Sequence, residues 1–450
     1  MFNRFISIDR PTCIFPIVTF RVVFGLMMIV STGRFLYLDW VKAHYLDAKL
    51  NFKYFGFEWI KVLPDYWMYG LHYLMLLAAF GIMLGAFYQL CTVLFFLSFT
   101  YIQLIDITYY LNHYYFVSLV AFLMIFVPAH AYASVDVLRG VVKPQREVPS
   151  WTINILKFQI GVVYVFAGLA KINYDWLVLA LPLKIWLPAA DKIPVFGLVF
   201  KQPISAYLFC WGGMMYDVFI VFLLMYKPTR VFAYIMVVVF HVLVGILFQI
   251  GVFPMVMIGA TLIFFSNSWH GRFWERFPWG LQMRNDERYI ALPKYKSNPI
   301  VLRLTRSLLL VYVIFQLLFP WRYLLYDGDV FWNEEGYRFS WRVMLMEKAA
   351  TATFYVKDTH TGREGVVNNT DFLCTHQEKQ MAMQPDLILQ YAHYLRDYYQ
   401  KIGVKNPSVR AEIYVTLNAR PSQLLINPNI DLTQLKDTWA PKQWVLAYEK

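Results

Sequence analysis

Apolar stretches of about 20 residues recur through roughly the first 320 residues of this chain, and they decide what it can fold into. A helix of about 20 residues crosses a hydrocarbon core of about 30 Å, and a backbone in lipid must satisfy its own hydrogen bonds. The stretches lack the alternation of barrel strands. The sequence therefore predicts a polytopic α-helical membrane bundle of about nine transmembrane helices. The predicted spans are Phe15–Leu36, Trp67–Phe87, Leu90–Tyr109, Tyr114–Val127, Ile153–Ala170, Ile204–Met225, Val231–Phe248, Phe253–Phe265 and Val301–Phe319.

The charge pattern indicates a membrane protein and gives no support to nucleic acid as a partner. Only 16% of the residues are charged, against about 25% in soluble chains. The net charge is +12, but most Lys and Arg residues lie in loops, where they orient helices and contact anionic lipid. Their bias predicts a cytoplasmic amino terminus and an extracytoplasmic carboxyl-terminal part.

The composition changes to that of a soluble domain from about Trp321. We therefore expect a transmembrane domain over residues 1–320 and a small extracytoplasmic α+β domain over residues 321–450. The predicted elements are strands at Thr351–Lys357 and Ala411–Leu417, a helix opened by a capping box of Thr375 and Glu378, and a helix over Pro385–Ile402.

Familiar catalytic and metal-binding motifs are missing from the sequence. It has no Walker loop, HExxH, GxGxxG or Ser-His-Asp spacing, so hydrolase, ATPase and dehydrogenase functions have no support. The four cysteines are scattered and form no CxxC pair. Neither a disulfide framework nor a metal site is predicted.

Several polar side chains interrupt the apolar segments, where each is costly and needs a reason. In the predicted orientation, Asn112, His113 and Lys171 fall near the outer face of the bundle, on the side of the carboxyl-terminal domain. We expect a functional site where these distant parts of the chain converge. The other interrupting residues are Arg21, Asp106, Asn173, Asp175, Asp217 and His241.

Two interpretations of Lys171 stay open from the residues alone. It can extend to the interface as a helix-end lysine, or pair with Asp175 four residues on. Alternatively, an amine at the edge of a low-dielectric region is less stable when charged, and the neutral amine can act as a base. The same apolar setting would admit quinones, O2 and CO2 and exclude water.

The other polar residues also have structural interpretations. His113 can be an interfacial histidine within an aromatic belt, and His241 a hydrogen-bonded packing residue. For Arg21 we favour a structural role, an ion pair across the bundle with Asp106 or Asp217.

The sequence around Lys171 resembles a known enzyme family. The stretch FQIGVVYVFAGLAKINYDW at Phe158–Trp176 is similar to the active-site lysine segment of vitamin K-dependent gamma-carboxylases. Other segments resemble the family in the same order and cover nearly the whole chain, most like a bacterial member. They are FRVVFG at Phe20–Gly25, MLGAFY at Met83–Tyr88, DITYYLNHYY at Asp106–Tyr115, SVD at Ser134–Asp136, Asp217, FHVLVGILFQIGVF at Phe240–Phe253, EEGYRFSWRVML at Glu334–Leu345, QPDLILQYA at Gln384–Ala392 and IYVTLNARPSQLLINPNIDL at Ile413–Leu432.

The resemblance implies a peptidyl-glutamate 4-carboxylase, a carbon–carbon lyase in a bacterial inner membrane, or in the ER membrane of a eukaryote. Reduced vitamin K (phylloquinol or menaquinol) would react with O2 to give an epoxide and a transient, strongly basic alkoxide. That base would remove the γ-proton of a glutamate in a protein or peptide. The resulting carbanion would capture CO2 and form γ-carboxyglutamate. Membrane lipid and quinone are further partners implied by the resemblance.

By the same resemblance, Lys171 takes the place of the base that deprotonates the hydroquinone. His113 and Asn112 match residues that orient or stabilise the oxygenated intermediate. Tyr164 lies two helical turns before Lys171 on the same face and would line the quinone pocket. The remaining matches are His241, also assigned to cofactor binding, and the glutamate-binding positions Tyr337, Ser340 and Trp341.

Two other functions stay open. Met346 stands where the animal enzymes carry a histidine near the glutamate site, which would suit a quinol epoxidase that does not carboxylate. The alternative from another class is a non-catalytic binding or transport protein on the same scaffold. A transporter should carry a polar path across the bundle, whereas the polar groups here gather toward one face.

Overall fold

The computed structural model describes residues 10–190, 197–248, 250–276 and 299–449. Within them, seven helices are long and apolar enough to cross a membrane, and two more apolar helices are shorter. The predicted helical membrane bundle is confirmed. The helices are α1 Phe15–Tyr37, α2 Asp65–Leu84, α3 Tyr88–Ile105, α4 Asn112–Phe126, α5 Trp151–Ala170, α6 Pro203–Met225, α7 Arg230–Leu247, α8 Phe253–Thr261 and α9 Pro299–Leu318.

All nine predicted spans coincide with these helices, but α4 and α8 are too short to count as full spans. Prolines bound both: Pro128 follows the end of α4, and Pro254 stands in the first turn of α8. Since proline does not continue a helix that precedes it, the apolar run does not become one uninterrupted helix. The apolar segment Trp176–Pro188, which Pro182 interrupts, contains parts of two short helices, Tyr174–Leu177 and Leu183–Ala189.

Close contacts between helices depend on glycine. A Cβ atom added to Gly168 of α5 would lie 2.7 Å from the backbone nitrogen of Val218 in α6, closer than real Cβ atoms come. Gly25 of α1 stands equally close to the backbone of Met83 in α2. Small residues of this kind let membrane helices pack backbone to backbone. The α5–α6 contact matters most, because it brings the carboxyl end of α5 beside the middle of α6.

Arg21 corrects one prediction. Its guanidinium is buried and donates to the carbonyls of Ala129 and Ala133, at 3.2 and 2.6 Å. The expected ion pair with Asp106 or Asp217 is therefore wrong. The reason is that two backbone carbonyls of the loop after α4 accept from the terminal N–H groups of the guanidinium, whose role is structural. Among the described residues, its Nε has no hydrogen-bond partner and no carboxylate lies within ion-pair distance.

The carboxyl-terminal domain combines an antiparallel sheet with helices, which agrees with the predicted α+β class. The strands of the sheet are β3 Lys348–Asp358, β4 Glu364–Val367, β5 Pro407–Leu417 and β6 Gln423–Leu424, and two helices, α10 Thr375–Met383 and α11 Pro385–Lys401, pack against it. The four strands lie in the order β4-β3-β5-β6. A further pair, β1 Pro11–Cys13 and β2 Glu147–Pro149, joins two loops of the membrane domain.

The local predictions for this domain are confirmed except for the capping box. Alternate residues of β5 are buried from Ala411 to Leu417. The residue that caps α10 is Cys374, with no side-chain bond to the helix. The Glu378 carboxylate instead accepts a hydrogen bond from Asn369 at 3.2 Å, so the residue expected to close the box has another partner.

The two domains are joined by direct hydrogen bonds. Arg420 donates to both carboxylate oxygens of Asp175 at 2.5 and 2.7 Å, and Gln377 donates to Asp106 at 2.9 Å. His376 is bonded through Nε2 to the carbonyl of Thr108 at 2.9 Å. These contacts hold the sheet domain over the outer ends of α3 and α5.

Candidate active site

A cavity of about 1650 Å³ lies between the outer ends of the membrane helices and the sheet domain. It is larger than the usual ligand pocket of about 300–1,000 Å³. Helices α4, α5, α6 and α7 form one wall, and the segment from Glu334 to Lys348 with α10 forms the other. Six of the eight residues proposed from sequence line it: Asn112, His113, Tyr164, Lys171, His241 and Tyr337.

Lys171 lies at the carboxyl end of α5 and is 6% exposed. Its ammonium donates to Asp217 Oδ2 at 2.7 Å and to the Ala167 carbonyl at 3.3 Å. The interpretation in which it pairs with Asp175 is wrong, because Asp175 binds Arg420 instead. Both members of the observed pair line the cavity, so the amine is buried and still faces the space where a ligand would bind.

The Lys171–Asp217 pair follows from how α5 packs on α6. Gly168 lies three residues before Lys171 and touches the backbone at Asp217 and Val218. Because no side chain separates the helices there, the lysine that ends α5 reaches across to the carboxylate of α6. The ring of Trp176 lies 5.4 Å from the ammonium and covers it further.

Asn112 and His113 begin α4 at the junction of the two walls. The Asn112 amide donates to the carbonyl of Arg342 at 2.9 Å and accepts from the Tyr110 hydroxyl at 3.0 Å. The imidazole of His113 lies against the rings of Tyr114 and Phe253. No residue in the described ranges hydrogen-bonds to that imidazole, so its nitrogens are available to a bound molecule.

Tyr164 and His241 form part of the apolar wall. Their rings meet edge to face, with centroids 6.0 Å apart, and Phe253 lies 5.6 Å from His241. Nδ1 of His241 lies 2.9 Å from the Val237 carbonyl. Since a carbonyl only accepts, Nδ1 carries the proton and the neutral ring has Nε2 as an acceptor.

The three expected glutamate-binding residues take different positions. Tyr337 lines the cavity. Ser340 and Trp341 are buried behind it: the Ser340 hydroxyl donates to the Tyr337 carbonyl, and the Trp341 ring stacks on Tyr115 at 4.9 Å. In this arrangement they support the segment that carries Tyr337.

Sequence reasoning did not assign three further groups of the cavity wall to the site. Asp217 is the partner of Lys171. Glu334 and Lys348 form a buried ion pair at 2.9 Å, and Arg342 places a buried guanidinium in the same wall. Among the described residues, no group of three or more His, Cys, Asp or Glu side chains is placed to hold a metal ion.

Comparison with known families agrees with this architecture. The HTTM domain matches residues 9–269, more than half of the chain. The vitamin K-dependent gamma-carboxylase lumenal domain matches residues 302–450. The chain therefore belongs to the vitamin K-dependent gamma-carboxylase family, which confirms the resemblance found in its sequence. No solved structure matches the chain.

Proposed function

We propose that this protein carboxylates peptidyl glutamate to γ-carboxyglutamate, in a reaction coupled to epoxidation of reduced vitamin K by O2. Family membership supports a vitamin K-dependent carboxylase type of function. The observation that carries the finer proposal is the shared cavity. It combines the buried amine of Lys171, a histidine without a protein partner and the polar segment around Tyr337.

The apolar wall fits a quinol. Tyr164, His241 and Phe253 present ring surfaces to the cavity. Exposed Leu208 of α6 also borders the cavity, so the apolar wall continues onto the surface of the membrane helices. Phylloquinol or menaquinol, both lipid-soluble, would reach the site along this wall, and O2 and CO2 would partition there too.

Reduced vitamin K supplies, on reaction with O2, a base stronger than any side chain, which the γ-hydrogen of glutamate requires. The chain contributes proton handling at Lys171. Asp217 lies 2.7 Å from the amine, and in a site of low dielectric a neutral amine–acid pair approaches the ion pair in energy. A proton passed to Asp217 leaves the amine free to accept the proton of the quinol hydroxyl.

His113 and Asn112 have positioning roles in this proposal. The unpartnered imidazole of His113 would hydrogen-bond the oxygen atoms of the bound quinol. Asn112 fixes the start of α4 to the sheet domain through the Arg342 carbonyl. The peptide would lie along the other wall, with Tyr337 in contact and with Ser340 and Trp341 supporting it. The enzyme would act in a bacterial inner membrane, or in the ER membrane of a eukaryote, with its sheet domain outside the cytoplasm.

The test uses purified protein in lipid nanodiscs with reduced vitamin K, O2, a glutamate peptide and labelled bicarbonate. We expect wild type to form epoxide and labelled peptide, and Lys171→Ala to form neither. Lys157→Ala is the matched control, because Lys157 lies on the same helix near the Phe264 ring and does not line the cavity.

The same assay separates the alternatives. Epoxide without labelled peptide would select a quinol epoxidase, which the position of Met346 in the cavity wall favours. Binding of quinol without either product, across several peptides, would select a non-catalytic binding or transport protein.

A further inference from the structure

Arg342 is a buried cation without a carboxylate partner. It is 7% exposed and lines the cavity, yet within the described ranges no carboxylate lies within ion-pair distance, and its Nε has no hydrogen-bond partner. The other basic residues of the buried wall are paired: Lys171 with Asp217, Lys348 with Glu334 and Arg338 with Asp386.

A buried guanidinium in this state is costly, because burial removes hydration that no opposite charge replaces. Burial lowers the pKa of Arg342, and the nearby Tyr323 partly opposes that change. Arginine nevertheless stays protonated in proteins. Tyr323 hydrogen-bonds the guanidinium, and the Asp329 carboxylate attracts it without forming an ion pair within the described ranges. A positive charge that is only partly compensated is therefore held against the cavity, where an anionic ligand would relieve the cost.

The surroundings of Arg342 fix its orientation. Its Cζ lies 4.1 Å from the centroid of the Tyr323 ring, and the Phe331 ring lies 5.6 Å away. Tyr323 takes one hydrogen bond from the guanidinium, but Nε has no partner among the described residues. The edge that carries Nε and its neighbouring N–H group is therefore available for a carboxylate. The Arg342 carbonyl accepts from Asn112 at 2.9 Å, which anchors the residue beside His113 at the start of α4.

We infer that Arg342 binds the side-chain carboxylate of the substrate glutamate through its two parallel N–H groups. This inference rests on the proposed function and names the group that recognises its substrate. The contact also serves the chemistry. When the γ C–H bond breaks, the proton goes to the base supplied by reduced vitamin K and O2. The electron pair remains on the γ carbon, delocalised into the carboxylate, until that carbon bonds to CO2, and a guanidinium at the carboxylate stabilises the added negative charge.

The test compares binding of a glutamate peptide and the same peptide with glutamine, without quinol, to protein in nanodiscs. We expect wild type to prefer the glutamate peptide, and Arg342→Gln to weaken its binding on the order of 100-fold, as expected for a lost bidentate charged contact. Binding of the glutamine peptide should change less than about threefold. Arg342→Lys, which keeps charge and loses the fork, should fall between.

Lys405→Gln is the charge-matched control, because Lys405 is an exposed cation of the sheet domain that does not line the cavity. It should leave the preference for glutamate unchanged. An unchanged epoxidation KM for quinol in Arg342→Gln would show that the fold and the apolar wall are intact. A size-exclusion profile of the variant that matches wild type would also show that the protein is folded.

The inference is overturned if wild type does not distinguish the two peptides, or if Arg342→Gln and Arg342→Lys both keep the preference. A rise in the KM for bicarbonate alone also overturns it. If wild type prefers glutamate through Arg342 and yet carboxylates no peptide, the carboxylate site stands and the proposed carboxylation fails.

Discussion

Asp217→Asn tests the central feature of the site, the buried pair with Lys171. Each side chain is 8% exposed, and the charged atoms lie 2.7 Å apart. With an effective dielectric constant of about 20, their attraction is about 6 kcal/mol. Asparagine keeps the size of the side chain and removes its charge, so the change isolates the electrostatic part of the interaction.

The expected loss of stability is smaller than the attraction itself. Removing one partner of a buried pair typically costs about 3–5 kcal/mol, because a charge remains without compensation. Deprotonation limits that cost, since neutralising an ordinary lysine at pH 7 takes about 4–5 kcal/mol. We therefore expect Asp217→Asn to lower the free energy of unfolding by about 3–4 kcal/mol.

The assay is a double-mutant cycle on thermal unfolding in nanodiscs. Asp217→Leu and Lys171→Met should each lower the unfolding midpoint, and the double variant should recover most of the loss, because an apolar pair replaces the ion pair. Asp47→Asn, at an exposed carboxylate, is the control and should change stability by less than about 0.5 kcal/mol.

Activity provides the second measurement on the same variants. If Asp217 takes the proton of the Lys171 amine, Asp217→Asn should reduce epoxidation by about 10²–10⁴-fold, and the stable double variant should be inactive. An Asp217→Asn protein as stable and as active as wild type would refute the argument. A double variant no more stable than either single change would show that the two charges are not coupled.

Three further predictions concern the cavity and the sheet domain. In a quinol-binding titration, Gly213→Leu should abolish binding, because Gly213 lines the cavity and the added side chain would fill it. The unfolding midpoint should fall by no more than a few degrees, since a Cβ at Gly213 meets no atom within 4 Å. Gly70→Leu, where a Cβ also meets no atom but which lies outside the cavity, is the control. Burial raises the pKa of Asp386, but the Arg338 guanidinium and hydrogen bonds to the carboxylate together lower it by more. The pKa of Asp386 in the folded protein is therefore below its ordinary value. The ionised Asp386 carboxylate therefore stabilises the fold at neutral pH, and this stabilisation is lost as the pH falls through the pKa of the folded state. In an acid titration followed by tryptophan fluorescence, the stability of Asp386→Asn should fall less steeply below about pH 4 than that of wild type. Arg420→Gln should increase hydrogen exchange of the loop that joins β5 to β6, since it removes the contact with Asp175.

The fold could be predicted where one physical requirement dominates. The length of an apolar run predicted α5 and α6 closely, because a helix in lipid must satisfy its backbone over the whole span. Alternation predicted β5, whose buried face runs from Ala411 to Leu417. Gly403, with φ at +101°, marked the end of α11 because that backbone conformation suits glycine.

The partner of Lys171 could not be predicted from local spacing. The rule that residues four apart meet on a helix pointed to Asp175, but α5 ends before Lys171 and a new short helix begins at Tyr174. Asp175 therefore faces Arg420. Two signals were present in the sequence: Asp217 is an acid within an apolar helix, and Gly168 permits close packing of that helix against α5.

The orientation of the segment expected to bind glutamate also could not be predicted from the sequence. Phe339, Trp341 and Met344 have positive φ angles of 59°, 60° and 51°. Left-handed backbone at non-glycine residues is uncommon and follows neither helical nor strand periodicity. No periodic pattern could therefore show that Tyr337 and Arg342 line the cavity while Trp341 faces the interior.

The cavity is lined by both domains, so the proposed reaction would require both. We propose that a quinol would reach the site along the apolar surfaces of α5, α6 and α7, and a peptide from under the sheet domain. Asn112 belongs to the membrane wall and bonds the backbone of Arg342 in the other wall. Together with the hydrogen bond from Phe339 N to the Tyr110 hydroxyl, that contact holds the proposed carboxylate anchor close to His113. A misplacement of about 1 Å between reacting groups is enough to cost about 100-fold in rate. Asn112→Ala should therefore lower carboxylation more than epoxidation. The control is Asn173→Ala, which lies outside the cavity lining and should leave the ratio of the two products unchanged. An equal fall of both products in Asn112→Ala would contradict a role in aligning the two substrates.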